Sequence, residues 1–326
     1  MPQHDRHDRH DRHDQPGIPP AGQSGADQGP QATTGAPRAA SGTRSVPASA
    51  ASTAPRPDTR PTRLTRLPAW ALLLAACAAV YLLAVWTAAG QSAENSLLVG
   101  YADDALIFRW SQSLGPPPLT AEEVTLAGGT VLILAAAVLR RRLREGFAAV
   151  AVVVVTVAAA EALNKAVLPR PDLVGARDGL TEPGFPSGHV AIAAALALGA
   201  VLVASPRVRP YVATAGALWL AVTGAAVQAL YWHRPSDVLG ATLLACAAYA
   251  LATRLLPSTG ADAPAPSRPR ALPALALVAV GALLAGARDD ALVRPLVFSG
   301  TAFICGLLLW ATASARRKPP TPLFGR

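Results

Sequence analysis

The sequence predicts an all-α fold, a polytopic membrane helical bundle, and three observations lead there. Of the 326 residues, 52% are hydrophobic and only 15% charged, whereas about a quarter of a soluble domain is charged. The apolar residues gather in long Ala/Leu/Val runs of bilayer-crossing length. Short Arg-rich or Pro/Gly-rich breaks separate these runs. The formal net charge of +9 comes from arginines clustered beside apolar runs, not along one aromatic-interleaved face. It therefore points to membrane topology and to no nucleic-acid partner. Cys77, Cys246 and Cys305 all lie inside apolar runs, which implies neither a disulfide framework nor a zinc site.

In chain order, residues 1–67 are rich in Pro, Ala, Ser, Thr, Gly and Arg, too polar to offset ordering entropy, and predict a disordered tail. Its His-Asp-Arg repeat carries His4, His7, His10 and His13; these read as a solvated low-complexity tract or as loose transition-metal ligands. The chain start lacks the charged and apolar pattern of a cleaved signal peptide. Eight candidate spans follow, at 68–89, 119–139, 146–163, 189–204, 211–230, 238–256, 271–287 and 295–315. They divide into a six-span core over 68–256, a Pro/Ala/Ser/Gly-rich linker over 257–270, a two-span hairpin over 271–315 and a basic tail over 316–326.

Basic residues collect in alternate connections: Arg60, Arg63 and Arg66; Arg140, Arg141, Arg142 and Arg144; Arg207 and Arg209; Arg254, Arg268 and Arg270; Arg316, Arg317 and Lys318. The positive-inside rule then makes both termini cytoplasmic. Segments 90–118, 164–188, 231–237 and 288–294 face outward, the first carrying Glu94, Asp103 and Asp104 against Arg109.

Outside the tail the only histidines are His189 and His233, both at outward ends of spans. An ionisable group at membrane depth is a functional candidate by default. His189 closes Phe185-Pro186-Ser187-Gly188-His189, where Ser187 suits an N-cap and Gly188 lets a ligand approach the backbone. The unpaired N–H groups of such a helix start favour an anion, phosphate above all; ordinary turn chemistry is the alternative for Pro-Ser-Gly. His233 sits in Trp232-His233-Arg234-Pro235-Ser236-Asp237. An aspartate four residues on fixes the imidazole tautomer and supports its positive charge during attack or proton transfer. Where the third span ends stand Glu161, Asn164, Lys165, Arg170 and Pro171. Lys165 and Arg170 suit phosphate oxygens, or else snorkel at an interface, and Glu161 pairs with Lys165 at helical spacing.

Together these pieces resemble the membrane type 2 phosphatidic acid phosphatases, or lipid phosphate phosphatases, whose site is shared with vanadium haloperoxidases. Pro186-Ser187-Gly188-His189 matches that family's second motif, and His233 with Asp237 matches the end of the third. Lys165 and Arg170-Pro171 resemble the first motif with four intervening residues instead of six, so that Asp172 takes the strict arginine position. Ala226 and Val227 stand where the family has Ser-Arg, which leaves one phosphate-binding cation missing; Arg234 and Arg177 are candidate substitutes. The resemblance covers the six-span core. It implies that His233 attacks phosphorus, Asp237 orients it, His189 protonates the leaving oxygen, and Lys165, Arg170, Ser187 and Gly188 hold the phosphate. No metal and no cofactor are implied.

The expected function is a metal-independent phosphatase at the outer face of a cell membrane, acting through a phosphohistidine. Its expected partners are membrane lipids and a lipid phosphate substrate: phosphatidate, its lysolipid, or a polyprenyl phosphate or pyrophosphate. A catalytically weak relative that binds or moves anionic lipids is the second reading, motivated by Val227 and Asp172. A soluble haloperoxidase disagrees with eight spans.

Overall fold

The computed structural model describes residues 67–99, 105–107, 118–177, 179–256, 271–289 and 292–315. The expected disordered tail, the 257–270 linker, the basic C-terminal tail, and Asp103, Asp104 and Arg109 lie outside the described residues. The described residues are helical, apart from connections and one isolated antiparallel bridge between Ala105 and Arg288.

Each of the eight apolar runs is a helix. Helix α1 (Ala69–Val85) begins at Pro68 and breaks at Trp86. Thr87 then caps α2 (Ala88–Leu97) by accepting the Gly90 N–H at 3.0 Å. The two helices meet at 81°, and Gly90 permits the bend, since a Cβ there would collide with the Leu83 carbonyl oxygen. Helix α2 is polar and was not among the expected elements; it occupies what the sequence assigned to an outward loop.

Helix α3 (Glu122–Leu139) opens on Glu122 and Glu123, which complement its dipole. Helix α4 (Leu143–Ala162) runs into a π-helical turn, Leu163–Val167, a deviation that often marks functional positions. Helices α5 (Gly188–Val203), α6 (Arg209–Ala229) and α7 (Pro235–Leu255) follow. Pro210 and Pro235 occupy first-turn positions, where a missing N–H costs nothing. Helices α8 (Ala271–Gly286) and α9 (Val293–Ser314) complete the bundle.

Among the described residues, five helical stretches are long and apolar enough to cross a membrane: Glu122–Leu139, Leu143–Val167, Arg209–Ala229, Pro235–Leu255 and Val293–Ser314. Counting the bent α1–α2 pair makes six. The described residues thus form a multi-pass, all-helical membrane-type bundle, and of the eight expected spans five or six meet that length, α5 and α8 being shorter apolar helices.

Helices α5 and α8 fall short at 16 residues each, about 24 Å at 1.5 Å per residue. The reason for α5 is its surroundings: residues Val190–Leu198 are all buried, enclosed by α3, α4, α6 and α7. A helix packed on all sides does not have to match the lipid thickness. Its alanines let the neighbours close in, and Leu198, Leu202, Leu220, Val238 and Phe298 fill the core between them.

Candidate active site

The N-terminal ends of α5 and α7 meet, and the histidine motifs meet with them. Ser187 caps α5, its Oγ accepting the Val190 N–H at 3.4 Å, and its own backbone N–H donates to the Asp237 carbonyl at 3.1 Å. That bond ties Pro-Ser-Gly-His to the first turn of α7. The His189 and His233 rings lie 5.9 Å apart at 65°, and Trp232 flanks His189 at 5.5 Å. His233 Nδ1 is 3.5 Å from Asp237 Oδ2, an ion-pair approach without a formed hydrogen bond. The same carboxylate oxygen accepts the Arg234 N–H at 2.9 Å, which caps α7. With Nδ1 turned to Asp237, the Nε2 of His233 is its other reactive nitrogen. Gly184 leans on this carboxylate so closely that a Cβ would come within 2.9 Å of Asp237 Oδ2.

Two arginines share the site. Arg234 is only 5% exposed; it donates to the Leu180 carbonyl, and its buried Nε makes no hydrogen bond. Arg170 is half-buried, and burial, then the neighbouring Arg234 guanidinium, lower its pKa from the ordinary arginine value while Glu94 and Asp237 act the other way. Two guanidinium groups this close favour an anion between them.

The loop carrying Arg170 is pinned from α1 and α2. Tyr81 Oη donates to the Pro169 carbonyl at 2.6 Å; Gln91 donates to the Pro171 carbonyl at 2.6 Å and accepts the Leu173 N–H at 3.2 Å. Asp172, at the strict family spacing, turns away to accept the Ala176 and Val174 N–H groups. Those bonds hold its carboxyl below the usual range.

Lys165 does not join this cluster. Its side chain is 71% exposed and paired with Glu161. Gly188 begins α5, with the Glu122 carboxylate 3.5 Å from where a Cβ would stand. Val227 is fully buried in the core, and of the two candidate substitute cations Arg234 reaches the cluster while Arg177 is exposed.

Sequence reasoning counted Glu94 only as loop charge and passed over Gln91 and Tyr81. Glu94 is 8% exposed and its Oε1 accepts the Ser236 N–H at 2.9 Å, securing the start of α7 across 142 residues. Its Oε2 is buried without a hydrogen bond. Thr87 ahead of an Ala-rich stretch was the available helix-start signal. No local pattern announces the partners, which lie far along the chain. Among the described residues no three His, Cys, Asp or Glu side chains are grouped to hold a metal ion.

The geometry therefore groups two histidines, a carboxylate and two arginines at one end of a helical bundle. Residues 143–260, the stretch that holds α4 through α7, are similar to the PAP2 superfamily. Members of that superfamily generally hydrolyse phosphate esters. Nothing among the curated proteins or the solved structures matches the chain.

Proposed function

We propose that this protein is a metal-independent membrane phosphatase for lipid phosphates or pyrophosphates, working at the outer face through a phosphohistidine. The observation that carries the reading is the convergence of His189, His233, Asp237, Arg170 and Arg234 at the ends of α5 and α7. In the first step His233 Nε2 attacks phosphorus; an N–P bond forms as the P–O bond to the leaving group breaks, and His189 gives its proton to that oxygen. Asp237 supports the charge on His233. In the second step His189 takes a proton from water, whose oxygen attacks phosphorus and frees His233 with release of phosphate. Arg170 and Arg234, with the Gly188 amide and Ser187, hold the phosphoryl oxygens as charge develops. Lys165 acts from its pairing with Glu161, if a bound phosphate draws it in.

An apolar groove of about 790 Å³ between α3, α5 and α6, lined by Leu132, Ile133, Leu196, Ala200 and Trp219, supports a lipid substrate. It lies beside the bundle core rather than at the histidines, and α5 links the two: His189 stands seven residues, about 10 Å, above Leu196. That spacing suits a headgroup at the histidines with its chain in the groove. The basic turns at Arg140–Arg142 and Arg207–Arg209 support an inward orientation for the opposite end.

The test is phosphate release by detergent-purified protein from phosphatidate, lysophosphatidate and a polyprenyl pyrophosphate, with EDTA present. His233→Ala is expected to abolish release with the membrane level of protein unchanged; turnover retained in the variant overturns the assignment. Val227 in the arginine position favours the second reading, anionic-lipid binding without turnover, and lipid phosphate bound but not cleaved by the wild type would establish it.

A further inference from the structure

The C-terminal hairpin, α8 and α9, lies wholly outside the family match at 143–260, yet its connecting turn reaches the segment that carries His233. A helix leaves its last carbonyls without intrahelical donors, and α6 shows how each is met. The Ala226 carbonyl accepts Leu230 N–H, Gln228 accepts Tyr231, and Val227 accepts both Trp232 and His233, the last at 3.2 Å. The remaining carbonyl, of Ala229, accepts the Arg288 guanidinium from the hairpin turn. Arg288 is 6% exposed.

The next residue outward is strained. Tyr231 has φ +60, the left-handed conformation that helix ends normally assign to glycine. A bulky residue stays there only where its surroundings over-determine it. Most of those surroundings are hairpin residues. Arg288 Cζ stacks 4.1 Å from the Tyr231 ring centroid, and Phe298 of α9 meets the ring edge-on at 6.3 Å. Arg294 contacts the Tyr231 hydroxyl at 3.3 Å, and both bond the Val99 carbonyl. The turn itself is anchored by the Ala105–Arg288 bridge and by the Leu106 N–H to the Ala287 carbonyl at 3.1 Å. Since φ at Tyr231 sets the course of Trp232 and His233, the hairpin fixes where the imidazole sits.

We propose that the α8–α9 turn is a clamp on the His233 turn, with Arg288 as a positioning residue for the nucleophile; this rests on the phosphatase reading above. The clamp gives the hairpin a purpose: a separate element, delivered after the linker, completes the site.

The experiment compares wild type, Arg288→Gln, Arg288→Lys and Tyr231→Gly, all full-length and in detergent. Tyr231→Gly suits the backbone angle, so it folds while removing the side chain that Arg288, Arg294 and Phe298 grip. Amide hydrogen exchange across 229–234 reads the clamp without any need for turnover. Arg288→Gln and Tyr231→Gly are expected to speed exchange at Trp232 and His233 by about tenfold or more, with α7 unchanged. On a substrate whose release depends on His233, they are expected to lower kcat by about tenfold or more and leave KM within about twofold, as for a misplaced reacting group. Arg288→Lys keeps a cation over the ring and a donor for Ala229, and stays within about threefold of wild type.

Unchanged exchange in both variants overturns the clamp, and faster exchange with unchanged kcat overturns the positioning role. A wild type that releases no more phosphate than His233→Ala overturns the phosphatase reading alone, and the exchange result still decides the clamp.

Discussion

On the proposed function, Arg234 is the candidate substitute for a missing arginine. The family position for a phosphate-binding arginine holds Val227, whose side chain is sealed in the core, so no cation comes from α6. Arg234 enters the same cluster from the start of α7, held by the Leu180 carbonyl and left with an unbonded Nε. A charged hydrogen bond contributes about 1.5–3 kcal/mol. Arg234→Ala is therefore expected to lower kcat/KM by about tenfold to a hundredfold and to weaken vanadate inhibition in parallel. Arg234→Lys should recover only part, because a point charge does not reproduce the guanidinium fork. Equal kinetics in all three proteins would reduce Arg234 to a backbone cap of α7.

At the scale of elements, glycines decide how closely the hairpin approaches the core. A Cβ at Gly306 of α9 would come within 2.7 Å of Val278 Cγ1 and 3.0 Å of the Ala217 carbonyl oxygen, whereas one at Gly300 meets nothing within 4 Å. Gly306→Val is expected to lower the melting temperature in detergent by several degrees, since overpacking costs about 1–3 kcal/mol. Gly300→Ala, on the same helix, should leave it unchanged or raise it, because the alanine only improves helix propensity. A melting temperature that fell equally in both would mean that α9 does not pack as described.

The helices themselves were legible because a bilayer demands long runs that are apolar all round, and the eight runs announce themselves without any tertiary information. The short motifs were legible for a similar reason: Ser187 to His189 and His233 to Asp237 are each local, and a helix start fixes their relation. What escaped was non-local. Helix α2 is too polar to register as a span, and its worth lies in Gln91 and Glu94 reaching Pro171 and Ser236, 80 and 142 residues on. The shortness of α5 was legible in its run at 189–204, but the burial of Val190–Leu198 that explains it was not. Lys165 keeps the pairing with Glu161 that helical spacing predicts, whereas its distance from the arginines is set by tertiary structure.

Across the described bundle the two ends differ in character, one basic with Arg140, Arg207 and Arg209, the other carrying the histidines, and the apolar groove runs between them along α3, α5 and α6. A soluble phosphate ester would have no use for that groove. A lipid phosphate gains from each methylene withdrawn from water, about 0.8 kcal/mol per CH₂. Gly128 lines the groove and a Cβ there meets nothing within 4 Å, so the position admits a side chain and Gly128→Phe puts a ring into the groove. Displacing two methylenes of a bound chain is worth about 1.6 kcal/mol, or about tenfold. The variant is expected to lower the ratio of kcat/KM for a long-chain lipid phosphate over a short-chain ester by about that factor. Phosphate release from matched long- and short-chain esters in mixed micelles measures it. An unchanged ratio would place the chain in the surrounding lipid and leave the groove as a gap between helices.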